Sequence, residues 1–177
     1  MKTLGLLRHA KSDWNDTSQR DFDRGLNKRG RRGAELMGAH IRDHGVAWDL
    51  LLASPAERVK RTLDAARLNV PVQWDEDIYL ADTGTLIEAL RGIEGDPDAV
   101  MLVGHNPGLQ ELIFELVPHE RENGLFATAS EKFPTATFAV LELAIDRWAD
   151  CAPGCGTFVH LTRPRDLDSD LGPEKVR

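Results

Sequence analysis

A chain of 177 residues with a formal net charge of −7 is a poor general partner for nucleic acid or an anionic membrane, whose phosphates would repel it. Its 41% hydrophobic and 29% charged residues match an ordinary globular domain and exclude a low-complexity chain. One domain is expected at this length, and no apolar stretch approaches the ~18–20 residues that span a bilayer.

Thr3–Leu7 is a compact apolar run of the kind that forms a parallel strand covered on both faces. It leads directly into Arg8-His9-Ala10, leaves no room for a signal peptide, and so points to a cytoplasmic protein. Arg20 to Arg32 then gathers Arg20, Arg24, Lys28, Arg29, Arg31 and Arg32 against Asp21 and Asp23. A solvated helix face is the first reading of that run, and a basic rim for a phosphorylated or acidic partner the second. A helix is expected over Asn27–His44 and a second buried strand over Asp49–Ala53. Ser54-Pro55-Ala56-Glu57 has the pattern of a capping box and predicts a helix over Pro55–Leu68, with Arg58 on its first turn.

Val72–Trp74 reads as a short strand, Thr85–Ile93 as a helix and Asp98–Val103 as a third apolar strand. Gly104-His105-Asn106-Pro107 follows, with cap-then-proline spacing at the head of a helix over Pro107–Leu116. Thr135–Leu143 and Thr157–Leu161 complete about six strands. Cys151 and Cys155 are too few for a disulfide framework and are expected as free thiols. The alternation predicts a three-layer α/β/α domain with a mainly parallel central sheet over residues 1–162, followed by a mobile tail over 163–177.

Two histidines thus stand at the carboxyl ends of strands, where open α/β sheets bind ligands. Beside them Arg8 and Arg58 offer forked cationic donors suited to phosphoryl oxygens. A neutral histidine is a competent nucleophile, and a second, protonated one stabilises charge as it builds during transfer. No metal cage is visible and no cofactor is expected. His40 and His44 share a helix face at i, i+4, but without the glutamate and third ligand of a zinc site they read as solvated. His119 and His160 have no supporting context, and Trp14 and Trp74 fit either a cleft or core packing.

Arg8-His9-Ala10, with Ser12 and Trp14-Asn15 following, resembles the Arg-His-Gly signature of the histidine phosphatase superfamily, whose fold is that of phosphoglycerate mutase. Ser54-Pro55-x-x-Arg58-x-x-x-Thr62 resembles its second block and Gly104-His105-Asn106-Pro107-Gly108 its third. The resemblance spans roughly residues 2 to 162 with the blocks in order. Within the superfamily, the Arg-His-Ala-Lys-Ser-x-Trp opening and Val-Gly-His-Asn-Pro-Gly are most similar to the SixA-type phosphohistidine phosphatases. The resemblance implies that His9 becomes phosphorylated while Arg8, Arg58 and His105 hold the phosphoryl oxygens. It implies a further hydrogen bond from Asn15, and Thr135 facing the same pocket.

Mutase-like members carry an acidic proton donor in a Leu-x-Glu segment, and here the corresponding stretch is Ile78-Tyr79-Leu80. Asp21, Asp23, Glu76 and Asp82 are the candidate substitutes, with Asp75 and Asp77 beside them. An alkoxide must be protonated as it leaves, whereas imidazole, with a pKa near ~6.5, leaves readily. A metal-independent phosphatase for protein phosphohistidine is therefore expected. A phosphatase for small phosphate monoesters, a mutase and a non-catalytic module for phosphorylated partners are the alternatives. The expected partner is a phosphorylated protein or small phosphorylated substrate, and the expected state is a monomer.

Overall fold

The computed structural model describes residues 1–173. Six strands form one sheet: β1 (Lys2–Arg8), β2 (Leu50–Ala53), β3 (Val72–Trp74), β4 (Ala99–Gly104), β5 (Phe138–Leu143) and β6 (Gly156–Thr162). Their spatial order is β3-β2-β4-β1-β5-β6. The first four pair in parallel, while β5 lies antiparallel to β1 and β6 antiparallel to β5. The parallel strands are joined through α1 (Lys28–His44), α2 (Glu57–Ala66) and α3 (Thr83–Arg91). α4 (Gly108–Leu116) and α5 (Gly124–Glu131) lie between β4 and β5, and α6 (Pro164–Leu167) follows β6.

The non-alternating apolar runs have a direct cause. On β4, Val100 and Leu102 enter a core shared with Leu109, Leu112 and Ile113 of α4. Met101 and Val103 enter the opposite core, against Met37 and Ile41 of α1 and Val59 of α2. Strand geometry sends successive side chains to opposite faces, so burial on both faces demands apolar residues throughout. Register then sets the site. Leu7 pairs with Val103 and Arg8 with Gly104, so His9 and His105 leave adjacent strands side by side. Ala53 pairs with the same Val103 and brings Ser54 to that edge.

α1 starts where the Asn27 side chain accepts from Gly30 N at 2.8 Å and ends at Gly45, whose φ of +100° suits glycine. At Gly38 the α1 backbone meets that of α2, and a Cβ there would overlap the Ala66 carbonyl oxygen. Because the obstacle is backbone, it cannot turn aside. Gly38→Ala is expected to destabilise the fold by about 1–3 kcal/mol, the range for overpacking. Urea denaturation checks this, and an unchanged midpoint would contradict it.

Several expectations are corrected. α2 begins at Glu57 with no side-chain cap, because the Ser54 hydroxyl is engaged with His105 and, at 3.3 Å, with Ala56 N. β5 starts at Phe138, since Ala136 turns with φ +59° and donates its N–H to the Arg8 and His9 carbonyls. The segment after β6 lies against α1. Arg29 donates to the carbonyls of Asp170 and Gly172 at 2.8 Å each, and Arg32 forms an ion pair with Asp168. Residues 174–177 lie outside the described residues.

The basic run is largely structural. Arg24 is buried, donates to the carbonyls of Asp13, Asp16 and Gln19, and covers the Trp14 ring at 3.8 Å. His40 and His44 are half-buried rather than solvated, because His160 of β6 packs against both. His40 Nε2 lies 2.9 Å from His160 Nε2, and Thr162 Oγ1 contacts each. Both cysteines are free thiols. Among the described residues no helix is long and apolar enough to cross a membrane, and no group of three His, Cys, Asp or Glu is placed to hold a metal ion.

Candidate active site

The carboxyl ends of β1, β2 and β4 open into a pocket of about 260 Å³. Arg8, His9, Arg58 and His105 all line it, as Thr135 does, so residues from three separate sequence blocks converge. Trp14 and Leu80 border the same pocket and are 63% and 55% exposed.

His9 is 7% exposed and fixed by its neighbours. Its backbone N–H donates to the Gly104 carbonyl at 3.0 Å, continuing the ladder between β1 and β4 by one residue. Its ring Nδ1 lies 2.7 Å from the Ala10 carbonyl oxygen, which only accepts. Nδ1 therefore carries the hydrogen, and in the neutral ring Nε2 keeps its lone pair. The adjacent backbone is held too: Ala10 N donates to Thr62 Oγ1 at 2.9 Å, and the Thr62 hydroxyl donates to the Arg58 carbonyl at 2.7 Å. Thr62 thus ties the turn after β1 to the first turns of α2. Burial pushes the His9 pKa down to about 4; the Ala10 hydrogen bond opposes that, while Arg8 and Arg58 add to it. His9 is neutral at physiological pH.

His105 stands 5.3 Å from His9 between ring centroids. Its Nε2 lies 2.7 Å from the Ser54 hydroxyl, and its Nδ1 is buried with no partner among the described residues. Ser54 Oγ also accepts from Ala56 N at 3.3 Å. Burial pushes the His105 pKa down to about 3, with His9 and then Arg58 contributing. His105 is therefore neutral in the free pocket. A phosphoryl dianion between these groups would pull its pKa upward again.

Arg58 is 5% exposed, and its guanidinium grips Asp21 twice: Nη1 donates to the backbone carbonyl at 2.8 Å and Nη2 to Oδ2 at 3.0 Å. The Tyr79 hydroxyl donates to the same Oδ2. Burial favours protonation of Asp21, but the hydrogen bonds from Tyr79 and Arg58 outweigh it and hold the carboxyl below its usual range. This brace sets the orientation of Arg58 before any anion arrives. Arg8 is anchored through Nη1 to the Phe133 carbonyl at 3.0 Å, with Nε buried and without a partner among the described residues.

The other expected residues divide. Asn15 is exposed, bonds through its backbone to Asp13 at 2.9 Å and does not line the pocket. Asp21 is the one candidate acid that lines it, and it is ionised. Asp23 pairs with Arg20 at 2.8 Å, Asp82 caps α3 by accepting from Thr85 N at 2.9 Å, and Glu76 is exposed on a separate turn. Ser54 and Tyr79 were missed as site residues, since their contacts depend on strand register and on a turn that crosses the chain.

Residues 4–110 match the family model of the histidine phosphatase superfamily (branch 1). The uncharacterized protein Rv1276c of Mycobacterium tuberculosis is 37% identical over 160 residues, covering 90% of this chain and 100% of the relative. A Nakamurella multipartitia structure, provisionally assigned as phosphohistidine phosphatase SixA, superposes with a TM-score of 0.82 at 28% identity, covering 92% of this chain and 96% of that one. The protein histidine phosphatase SixA complexed with tungstate shares the fold, with a TM-score of 0.75 at 23% identity over 94% of this chain and 99% of that one. With the three ordered motif blocks meeting in one pocket, these matches settle the family: the chain belongs to the histidine phosphatase superfamily, branch 1.

Proposed function

We propose that the protein is a phosphatase for protein phosphohistidine, working through a phospho-His9 intermediate. The observation that carries this reading is a neutral, tautomer-fixed His9 facing Arg8, Arg58 and His105 in a pocket whose only carboxylate among the described residues, Asp21, is ionised. In the first step the His9 Nε2 lone pair forms a bond to phosphorus as the P–N bond to the substrate imidazole breaks. The electron pair departs on the imidazole nitrogen, which takes up a proton from solvent. Arg8, Arg58 and His105 stabilise the phosphoryl oxygens meanwhile. In the second step a water oxygen attacks phosphorus, the P–N bond to His9 breaks, phosphate leaves and the proton of water passes to solvent.

A leaving imidazole needs no carboxylic acid, and Asp21 supplies none. The exposed Trp14 and Leu80 at the pocket favour a polypeptide substrate, since apolar surface beside a site suits protein contact. Two guanidinium groups and an imidazole supply the electrostatic stabilisation, so turnover without added divalent metal belongs to the same reading. The SixA names of the structural relatives agree with it.

Hydrolysis of a phosphohistidine protein, compared with an alkyl phosphate such as phosphoserine in the presence of a chelator, tests the proposal. The phosphohistidine substrate is expected to win in kcat/KM by roughly 10²-fold or more, the scale of a missing general acid. Equal or faster hydrolysis of the alkyl ester, or a strict metal requirement, would overturn it.

A further inference from the structure

Beyond the turn after β1, Ser12 bridges to Leu26 and Asp13 N donates to the Gly25 carbonyl at 2.8 Å, closing residues 12–26 into a loop beside the pocket. Within it Arg24 is 4% exposed, and its guanidinium is pinned by the carbonyls of Asp13, Asp16 and Gln19 at 3.2 Å each. The same guanidinium lies over the Trp14 indole, 3.8 Å from the ring centroid. One face of the indole is thus held against a buried cation. The rest of the ring stays open, since Trp14 is 63% exposed, and it borders the phosphoryl pocket. Held on one face and open on the other, the indole presents a flat aromatic surface to whatever occupies that pocket.

In-line transfer decides which group meets that surface. The leaving group departs on the side of phosphorus opposite the nucleophile. His9 is 7% exposed and stands on the buried side of the pocket, so the departing group faces the exposed side. Trp14 and Leu80 are the exposed apolar residues there. The polar side chains Arg8, Arg58 and His105 serve the phosphoryl oxygens and leave the rest of the substrate to this apolar edge. An imidazole is a flat aromatic ring of the kind that stacks on an indole face. An aliphatic amine or alcohol has no face to stack.

We infer that the open face of Trp14 is a subsite for the leaving ring: the substrate imidazole stacks on it, and Trp14 selects phosphohistidine over other phosphoryl donors. The inference rests on the phosphohistidine reading above and deepens it by naming the residue that recognises the leaving group. Arg24 is the positioning residue behind it, since its three carbonyl contacts fix the guanidinium on which the indole lies.

Phosphohistidine, as the free amino acid and within a peptide, is compared with phosphoramidate, which has the same P–N bond and no ring. The full chain is assayed beside Trp14→Ala, Trp14→Leu and Trp14→Phe, and urea denaturation checks that each variant folds. Leucine keeps an apolar cover on Arg24 without an aromatic face; phenylalanine restores the face. Trp14→Ala and Trp14→Leu are expected to lose about tenfold more kcat/KM on phosphohistidine than on phosphoramidate, mainly through KM, the scale of one ring stack. Trp14→Phe should recover most of that loss. Equal losses on the two kinds of substrate, no loss on either, or a Trp14→Leu protein as good as Trp14→Phe overturns the ring subsite alone. A loss confined to the peptide overturns it as well, because Trp14 then meets the polypeptide and not the ring. Failure of the wild-type protein to hydrolyse either phosphohistidine substrate overturns the phosphohistidine reading and the subsite with it.

Discussion

Replacement of His9 by alanine is expected to lower turnover by roughly 10⁴-fold or more, the scale seen when a covalent nucleophile is removed. The fold should survive. The backbone bonds at this position, His9 N to the Gly104 carbonyl and Ala136 N to the His9 carbonyl, do not involve the ring. Circular dichroism checks folding, and trapping with a radiolabelled phosphoryl donor checks the intermediate. A folded variant that retains substantial activity would remove His9 from its assigned role. The pH profile supplies a second measurement on the same residue. A folded-state pKa of about 4 keeps the nucleophile neutral until acid reaches that range, well below the ~6.5 of free histidine. With substrate ionisation accounted for, kcat/KM should hold from pH 7 to about 5 and fall as pH drops through about 4.

Arg58→Ala should cost about 10²–10³-fold in kcat/KM, the usual effect of losing one preorganised donor to a transition state. The substitution also leaves the Asp21 carboxylate at the pocket without its cation. Its negative charge would then face phosphoryl oxygens with only the Tyr79 hydroxyl bonded to it. Adding Asp21→Asn to Arg58→Ala is therefore expected to recover part of the lost activity. Arg58→Lys should not restore the wild-type rate, since one ammonium cannot span the Asp21 carbonyl, its carboxylate and a phosphoryl oxygen as a planar fork can. Steady-state kinetics on all three variants decides the matter. An Arg58→Ala rate within a few-fold of wild type, or a double variant no better than the single, would contradict this account.

Much of the cradle was legible in sequence because its residues sit where apolar runs stop. His9 and His105 each follow a buried strand, and Arg58 follows a strand by one helical turn, so local pattern alone located them. What could not be read depends on contacts distant in sequence. Ser54 had the credentials of a helix cap, yet register places it against His105. The missing acid at Ile78-Tyr79-Leu80 was visible as an absence; the service of Tyr79 to Asp21 across 58 residues was not. The contacts of Arg29 and Arg32 with the segment after Thr162 could not be recognised from their own helix. His40 and His44 looked solvated for a similar reason, since the ring that covers them belongs to β6.

The position of β1 in the sheet carries a last consequence, for how the molecule fluctuates. It is laddered on both edges, by β4 along one side and β5 along the other. Freeing it requires two ladders to break at once, so its amides exchange with solvent only through opening close to global unfolding. The Asp21–Asp23 turn belongs to no strand and is held through side chains of Arg58 and Tyr79, so it opens in far smaller fluctuations. His9, the proposed nucleophile, thus follows a slowly exchanging interior strand, and the carboxylate that braces Arg58 lies on a turn that opens more easily. Such a molecule adjusts one wall of its pocket many times over without disturbing His9, and it displaces His9 only when it loses its sheet.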